Sequence, residues 1–469
     1  MKHICLITLV ILFSFLGYLS IWCVLTVGDI SFEKIVFHMF MPLRKIHLEW
    51  LETIYIPILG AIITSVILGY AFKKQKEKII RPLMVLLLFC ILFDGWYINK
   101  HFFVWDFIKT QFESSNFIEN HYVSPKDRKM TFPEKKRNLI VIMVESLETS
   151  YQDKKSGGLF NKNHIPELTR LAKQNISFSH SDKLDGAIVP PEAGWTIAAT
   201  VAQTAGIPLK LYGPLKTNNK ERKIDNSMGK FKHFLPGITS LGDILLQQGY
   251  HNYFILGTDA KYAGKSDYLT QHGSYKIYDH KALSNKQNIT DSNLFKIIQN
   301  LMPNISQNQP FSILIQTADT HFAPQKKFNK VSKNVFSFVK WIRKQPFYKD
   351  TTIVIVGDHC NMLQKDFNGL EQEDFRYSGN MERKVYNAFL NADAKPIKTT
   401  YRRFSTFDMF PTILASIGVR IEGNKLGLGT NLFSEEKTLF EKYDSSYIFT
   451  ELKKKSHWYN KTLLYPSKK

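Results

Sequence analysis

Three apolar stretches of this chain each end in side chains that bind metals or move protons. Ile142–Val144 is followed by Glu145, Ile313–Ile315 by Asp319 and His321, and Ile353–Val356 by Asp358 and His359. Two carboxylates and an imidazole, from Glu145, Asp358 and His359, suit a divalent cation such as Mn²⁺, Mg²⁺ or Zn²⁺. A fourth piece is Gly194-Trp195-Thr196-Ile197-Ala198, where one threonine opens an apolar, helix-like run. A hydroxyl at a helix N-terminus sits among free N–H groups that favour anions, and a nearby cation turns it into a nucleophile. Thr196 would then be a fourth ligand and, as alkoxide, attack a phosphorus atom. His321 would donate to the bound phosphate or to the leaving oxygen. Each residue alone has a plainer explanation. Glu145 can neighbour a helix cap, Asp358-His359 can be a loop ion pair, Thr196 can be structural and His321 a satisfied core or surface histidine. Their coincidence at the ends of separate strands is what favours chemistry.

The elements that position these groups follow from pattern. RNLIVIMVES, Asn252–Leu256, Phe311–Gln316 and Thr352–Val356 are short, β-branched apolar runs, as expected of strands buried on both faces. Helical periodicity lies between them at His164–Gln174, Ile238–Gln248, Asn334–Lys344 and Phe407–Ile417. Strands alternating with helices predict an α/β domain with a mostly parallel central sheet flanked by helices. In such sheets ligands bind at the carboxyl ends of the strands, which is where the candidate residues fall.

The first hundred residues read differently. Cys5–Leu25, about Tyr55–Phe72 and about Ile79–Tyr97 are apolar runs long enough to cross a hydrocarbon core of roughly 30 Å. The first is too long for a typical signal-peptide core and lacks a small-residue cleavage site, so it reads as an uncleaved helix. KKQKEK between runs two and three (Lys73, Lys74, Lys76, Lys78, then Arg81) is a short positive loop and belongs in the cytoplasm; Asp29 to Thr53 mixes Asp29, Glu33, Lys34, Arg44, Lys45 and Glu49. Everything after about His101 is then outside. Phe102, Phe103, Trp105, Phe107 and Phe112 suggest an interfacial or linker helix. The expected organisation is a membrane anchor over 1–100 (spans about 4–27, 55–72 and 79–97), a linker over 101–134, a catalytic domain over 135–435 and a basic extension over 436–469.

NLIVIMVESLE, GWTIAATVAQTAGIPL, ITSLGDILLQQGYHNYFILG, Ala263-Gly264-Lys265, TADTHF, TIVIVGDH and the later FSTFDMFPTILASIGV with GLGTNLF occur in that order. Over roughly Lys136 to Phe433 they resemble the membrane-anchored, alkaline-phosphatase-like phosphotransferases, which carry a sulfatase-like domain. Within that family the branch most similar is phosphoglycerol transferase I of osmoregulated periplasmic glucans, with lipoteichoic acid synthases and phosphoethanolamine transferases more distant. The resemblance implies that Glu145, Thr196, Asp358 and His359 are ligands of one or two divalent metal ions, manganese above all, with Mg²⁺ or Zn²⁺ as alternatives. It implies that Thr196 becomes a phospho-threonine and that His321 faces substrate. Lys265 sits where a relative has an arginine that grips a phosphoglycerol phosphate; a lysine brings the charge without the two-pronged fork, and a solvated surface lysine is the other reading. Trp195 either lines the pocket or packs. Cys360 is a packing residue. Thr196-Ile197-Ala198-Ala199 lacks the Cys or Ser with Pro and Arg that sulfatases need, so sulfatase activity is not expected.

The chain has 469 residues and an excess of 62 Lys and Arg over 41 Asp and Glu, +21. Disorder, collagen-like repeats and a disulfide scaffold are excluded by composition. Cys360 is alone in the polar part, which argues against the disulfide-rich phosphoethanolamine transferases of lipid A. Basic charge beside anionic headgroups suggests a membrane partner rather than nucleic acid. The Lys453–Lys455 run and Lys468-Lys469 read as a solvated or lipid-facing tail. The expected function is transfer of a phosphoglycerol headgroup from a phospholipid donor, such as phosphatidylglycerol, to a cell-envelope glycan acceptor, in a bacterial inner-membrane protein with a periplasmic catalytic domain. Phosphoethanolamine transfer from phosphatidylethanolamine to lipopolysaccharide or glycan is the alternative, and a non-catalytic envelope-binding relative is a third reading.

Overall fold

The computed structural model describes residues 2–29, 32, 35, 53–74, 78, 80–210, 233–284, 288–307, 310–361 and 383–466. Of the charges used above, Glu33, Lys34, Arg44, Lys45, Glu49, Lys76, Lys468 and Lys469 lie outside the described residues. The described residues form two compact units, the first up to residue 110 and the second from residue 111 onward.

The first unit is helical: α1 (Lys2–Val27), α2 (Tyr55–Lys74) and α3 (Ile80–Phe102). Cys5–Thr26 and Arg81–Phe102, 22 residues each, are long and apolar enough to cross a membrane; at about 1.5 Å per residue each reaches roughly 33 Å. The apolar helix Tyr55–Tyr70 is shorter. Val10, Leu68 and Leu83 bring one residue from each helix into a small core. Around it Leu12, Ile63, Val66, Val85, Leu88 and Leu92 stay more than half exposed, an outward apolar surface that suits lipid and not water. Gly17 gives Asp94 its space, since a Cβ there would lie 2.6 Å from the Asp94 carboxylate.

The second unit is built on a six-stranded sheet of β1 (Asn138–Val144), β2 (His251–Leu256), β3 (Lys276–Tyr278), β4 (Phe311–Gln316), β5 (Thr351–Gly357) and β6 (Asn387–Leu390). The spatial order is β3-β2-β4-β1-β5-β6, parallel except for β6, which runs antiparallel to β5. Every residue of β1, β4 and β5 is buried, as the unbroken apolar runs require of strands covered on both faces. The helices α4 (Thr196–Ala205), α5 (Lys265–Gln271), α6 (Asp291–Ile305) and α7 (Lys326–Ile342) bear on the site described below.

All four expected strands are present within a residue or so. The expected helix at Asn334–Lys344 is the second half of the longer α7, whose polar first turns hide its start. Two edge strands, β3 and β6, were not expected, because runs of three or four residues give too little alternation to read. The α6 helix was also missed; Pro303 lies inside it and breaks the usual signature.

The lysine run at 453–455 is not a freely solvated tail. Its backbone pairs with the start of this unit (Ser115 N to Lys455 O, 2.8 Å; Lys455 N to Glu113 O, 3.1 Å), and Lys454 Nζ lies 2.7 Å from Glu451. Lys210, only 6% exposed, ion-pairs with Glu192 at 2.9 Å and donates to the carbonyls of Leu452 and Lys454. Backbone pairing and carbonyl capture by Lys210 hold the run, whatever its charge.

Register sets the site. Val144 pairs with Gly357 and Met143 with Gln316, so Glu145, Thr317 and Asp358 leave three neighbouring strands side by side. Gly357 has no room for a side chain: a Cβ would lie 1.9 Å from the Leu147 carbonyl oxygen. Gly357→Ala is therefore expected to cost about 1–3 kcal/mol, read as a lowered unfolding midpoint of the outer unit. An unchanged midpoint would contradict this packing.

Candidate metal centre and nucleophile

Glu145, Asp358 and His359 converge at the carboxyl end of the sheet, with ligand-competent atoms all within 4.8 Å of one another. They are 3%, 0% and 1% exposed. His359 Nε2 lies 3.2 Å from Glu145 Oε1 and 3.5 Å from Asp358 Oδ2. Thr196 is the first residue of α4, and its hydroxyl donates to Glu145 Oε2 at 3.3 Å while lying 3.4 Å from His359 Nε2. The four residues chosen from sequence thus come together from two strand ends and one helix N-terminus.

Local structure aims each of them. Glu145 is held by its backbone: its N–H donates to Thr317 Oγ1 at 3.0 Å, and the Thr320 hydroxyl donates to its carbonyl. Ser146 adopts a positive φ of 55°, strain of the kind that persists only where surroundings enforce it. That turn points the Ser146 N–H at Asp358 Oδ1, 2.8 Å away. The same oxygen accepts from His359 N at 2.7 Å. His359 Nδ1 lies 2.9 Å from the Cys360 carbonyl, which fixes a proton on Nδ1 and turns Nε2 toward the carboxylates. Cys360 therefore serves the site through its backbone and packs its own side chain, as expected.

Electrostatics explain why such a cluster calls for a cation. Burial disfavours charge at all three groups. Against that burial, Asp358 and Glu145 raise the His359 imidazole to about 9. The same imidazole charge overcomes burial at Glu145 and holds its carboxyl at about 2. Asp358 is left with burial and the charge of Glu145, which push it up to about 7. One imidazole cannot neutralise two buried carboxylates. Asp358 Oδ2 is buried and faces His359 Nε2 at 3.5 Å, but it accepts no hydrogen bond among the described residues, a costly state that a metal bond would relieve. Two carboxylates, one imidazole nitrogen and one hydroxyl fit Mn²⁺, Mg²⁺ or Zn²⁺.

The remaining sequence candidates lie nearby but outside this cluster. His321 is half-buried on the loop after β4, and its charge helps to hold the Glu145 carboxyl low. Lys265 is not a solvated surface lysine: it is 5% exposed at the start of α5, with Nζ 5.7 Å from the Tyr262 ring. Tyr262 in turn feels the site, since burial and then the Glu145 charge push its hydroxyl up to about 12. Trp195 is 4% exposed at the N-cap of α4, a packed position.

Several residues escaped the sequence reading. Asp291, at the start of α6, accepts the backbone N–H groups of Ala318 and Asp319 at 2.8 and 3.3 Å and so holds the loop that carries His321. Nothing in its sequence neighbourhood marks it. Thr317 and Thr320 were visible inside TADTHF, but their bonds to the Glu145 backbone are tertiary. A second group, Asp259, Asp279 and His280, also has metal-competent atoms close together. There the carboxylates are engaged as caps, Asp279 accepting from Lys281 N and Ala282 N and Asp259 from Lys261 N.

No family model matches the chain. Among solved structures it is similar to the lipoteichoic acid synthase LtaP from Listeria monocytogenes (TM-score 0.49, 15% identity, 68% of this chain and 80% of that one). It is also similar to a protein of the alkaline phosphatase superfamily from Vibrio parahaemolyticus (TM-score 0.45, 18% identity, 62% and 68%). By sequence the chain is 28% identical over 362 residues, 71% of its length, to phosphoglycerol transferase I of Shigella flexneri, and it spans 42% of the length of that relative.

Proposed function

We propose that the chain is a metal-dependent phosphotransferase that moves a phosphoglycerol headgroup from a membrane phospholipid to a cell-envelope glycan through a phospho-threonine at Thr196. The observation that carries this reading is the convergence of the Thr196 hydroxyl with Glu145, His359 and the bare Asp358 oxygen. The sequence similarity to phosphoglycerol transferase I supports the choice of headgroup.

Glu145, Asp358, His359 and Thr196 would hold the ion. When bound, it would lower the pKa of the hydroxyl and offset charge on the phosphoryl group in flight. In the first half-reaction Thr196 Oγ1 gives up its proton to solvent and forms a bond to phosphorus as the bond to the lipid diacylglycerol oxygen breaks. His321 gives that oxygen its proton. In the second, a glycan hydroxyl attacks the phospho-threonine, His321 takes its proton, and Thr196 leaves and is reprotonated. The free N–H groups at the start of α4 and the Lys265 ammonium would bind the phosphate oxygens. The apolar helices of the first unit would anchor the chain in the inner membrane, with the second unit on the periplasmic side near its lipid donor.

Two outcomes are expected. Headgroup transfer from labelled phosphatidylglycerol should fall by about a thousandfold or more in Thr196→Ala, the scale of losing a nucleophile, and remain measurable in Thr196→Ser. Transfer by Thr196→Ala at the native rate would remove Thr196 from this role. Transfer from labelled phosphatidylethanolamine alone would keep the mechanism and change the headgroup. Separately, Asp358→Asn should weaken Mn²⁺ binding at least tenfold in calorimetry; native affinity would argue against a metal at these residues.

A further inference from the structure

A second buried ion pair is bonded to the chain just beyond the site's residues, and no step of the reaction uses it. Arg383 and Glu148 are 1% and 0% exposed. Arg383 grips Glu148 with two nitrogens, Nε to Oε2 at 2.7 Å and a close contact from Nη2 to Oε1. Burying such a pair is not a route to stability, because desolvation offsets the attraction and an apolar pair of similar volume does as well. Its value must lie in geometry. Glu148 stands three residues after Glu145, and its Oε1 also accepts the backbone N–H of Asn361, two residues after His359, at 2.6 Å. Arg383 Nη2 donates to the Asn361 carbonyl at 2.7 Å. The Asn361 amide then donates to the Ala323 carbonyl, two residues after His321, and to the Tyr151 hydroxyl, both at 2.8 Å.

We propose that Glu148, Arg383 and Asn361 are positioning residues that lock the Glu145, His321 and Asp358-His359 loops in one register. The pair fixes both ends of the arrangement: Glu148 ties the Glu145 turn to the peptide after His359, and Asn361 ties that peptide to the His321 loop. Neither charge touches the reacting atoms, so the effect is on where the ligands stand. The proposal rests on the metal-centre reading above.

The test uses the full chain in detergent micelles, with Mn²⁺ alone as the probe in calorimetry and phosphatidylglycerol for kinetics. The double variant Glu148→Met/Arg383→Met replaces the pair by apolar side chains. It is expected to keep a metal-free unfolding midpoint close to native yet bind Mn²⁺ 10–100-fold more weakly, the range for residues that orient ligands. The lipid KM should stay near native while kcat falls. A purely structural pair would move the midpoint and leave the Mn²⁺ affinity of the folded protein within twofold, and that result would overturn the proposal. If the double variant does not fold, Arg383→Lys carries the test, since it keeps the charge and loses the two-pronged grip. A tenfold weaker Mn²⁺ affinity supports positioning and affinity within twofold overturns it. Asp358→Asn run alongside separates the two ideas: if it too binds Mn²⁺ as the native chain does, the metal centre itself is wrong; if it alone loses binding, only the positioning role falls.

Discussion

Two carboxylates, Glu145 and Asp358, are buried side by side with one imidazole between them. That concentration of charge is the constraint on which the rest of the second unit depends. Left alone, such a cluster would lower its cost by protonation or by drifting apart. It stays together because the ligands leave adjacent parallel strands whose pairing, Val144 against Gly357, leaves no freedom to slip. A shift of one residue would turn every buried side chain of β1 to the opposite face. The sheet therefore supplies the rigidity, and the charge it confines is of the kind that suits a cation.

Around that centre the chain fixes backbones before side chains. Thr317 and Thr320 hold the peptide groups of Glu145, the Ser146 turn delivers an N–H to Asp358, and Asp291 holds the loop of His321. These contacts are short polar bonds in a dry environment, where a missing partner is expensive. The centre is thus preorganised on the protein side, with the bare Asp358 oxygen as the conspicuous exception. That acceptor lies in the same cluster as the Thr196 hydroxyl, which bonds Glu145, and a metal ion would satisfy it.

Much of this was legible in the sequence, for identifiable reasons. Strands buried on both faces appear as unbroken apolar runs, and their carboxyl ends could be read directly, so Glu145, Asp358 and His359 were found without any tertiary information. Thr196 was found from the small and apolar residues around it. What stayed hidden is whatever depends on contacts far apart in sequence. Glu148 and Arg383 look like ordinary surface charges until folding places them 235 positions apart in one buried contact. A solvated surface lysine was the other reading of Lys265 until the fold buried it. Lys453–Lys455 looked like a tail because charge patterning cannot reveal backbone pairing with residues 113–115. The short strands β3 and β6 gave too few residues for periodicity to register.

The central claim is that Thr196 carries the phosphoryl group between donor and acceptor. The most direct measurement is peptide mapping by mass spectrometry of the full chain, quenched in acid after incubation with Mn²⁺ and phosphatidylglycerol without acceptor. The account predicts a phosphoglycerol adduct on the peptide containing Thr196, present before transfer and lost when a glycan acceptor is added. Headgroup transfer proceeding with no adduct on that peptide, or with the adduct on another residue, would contradict it.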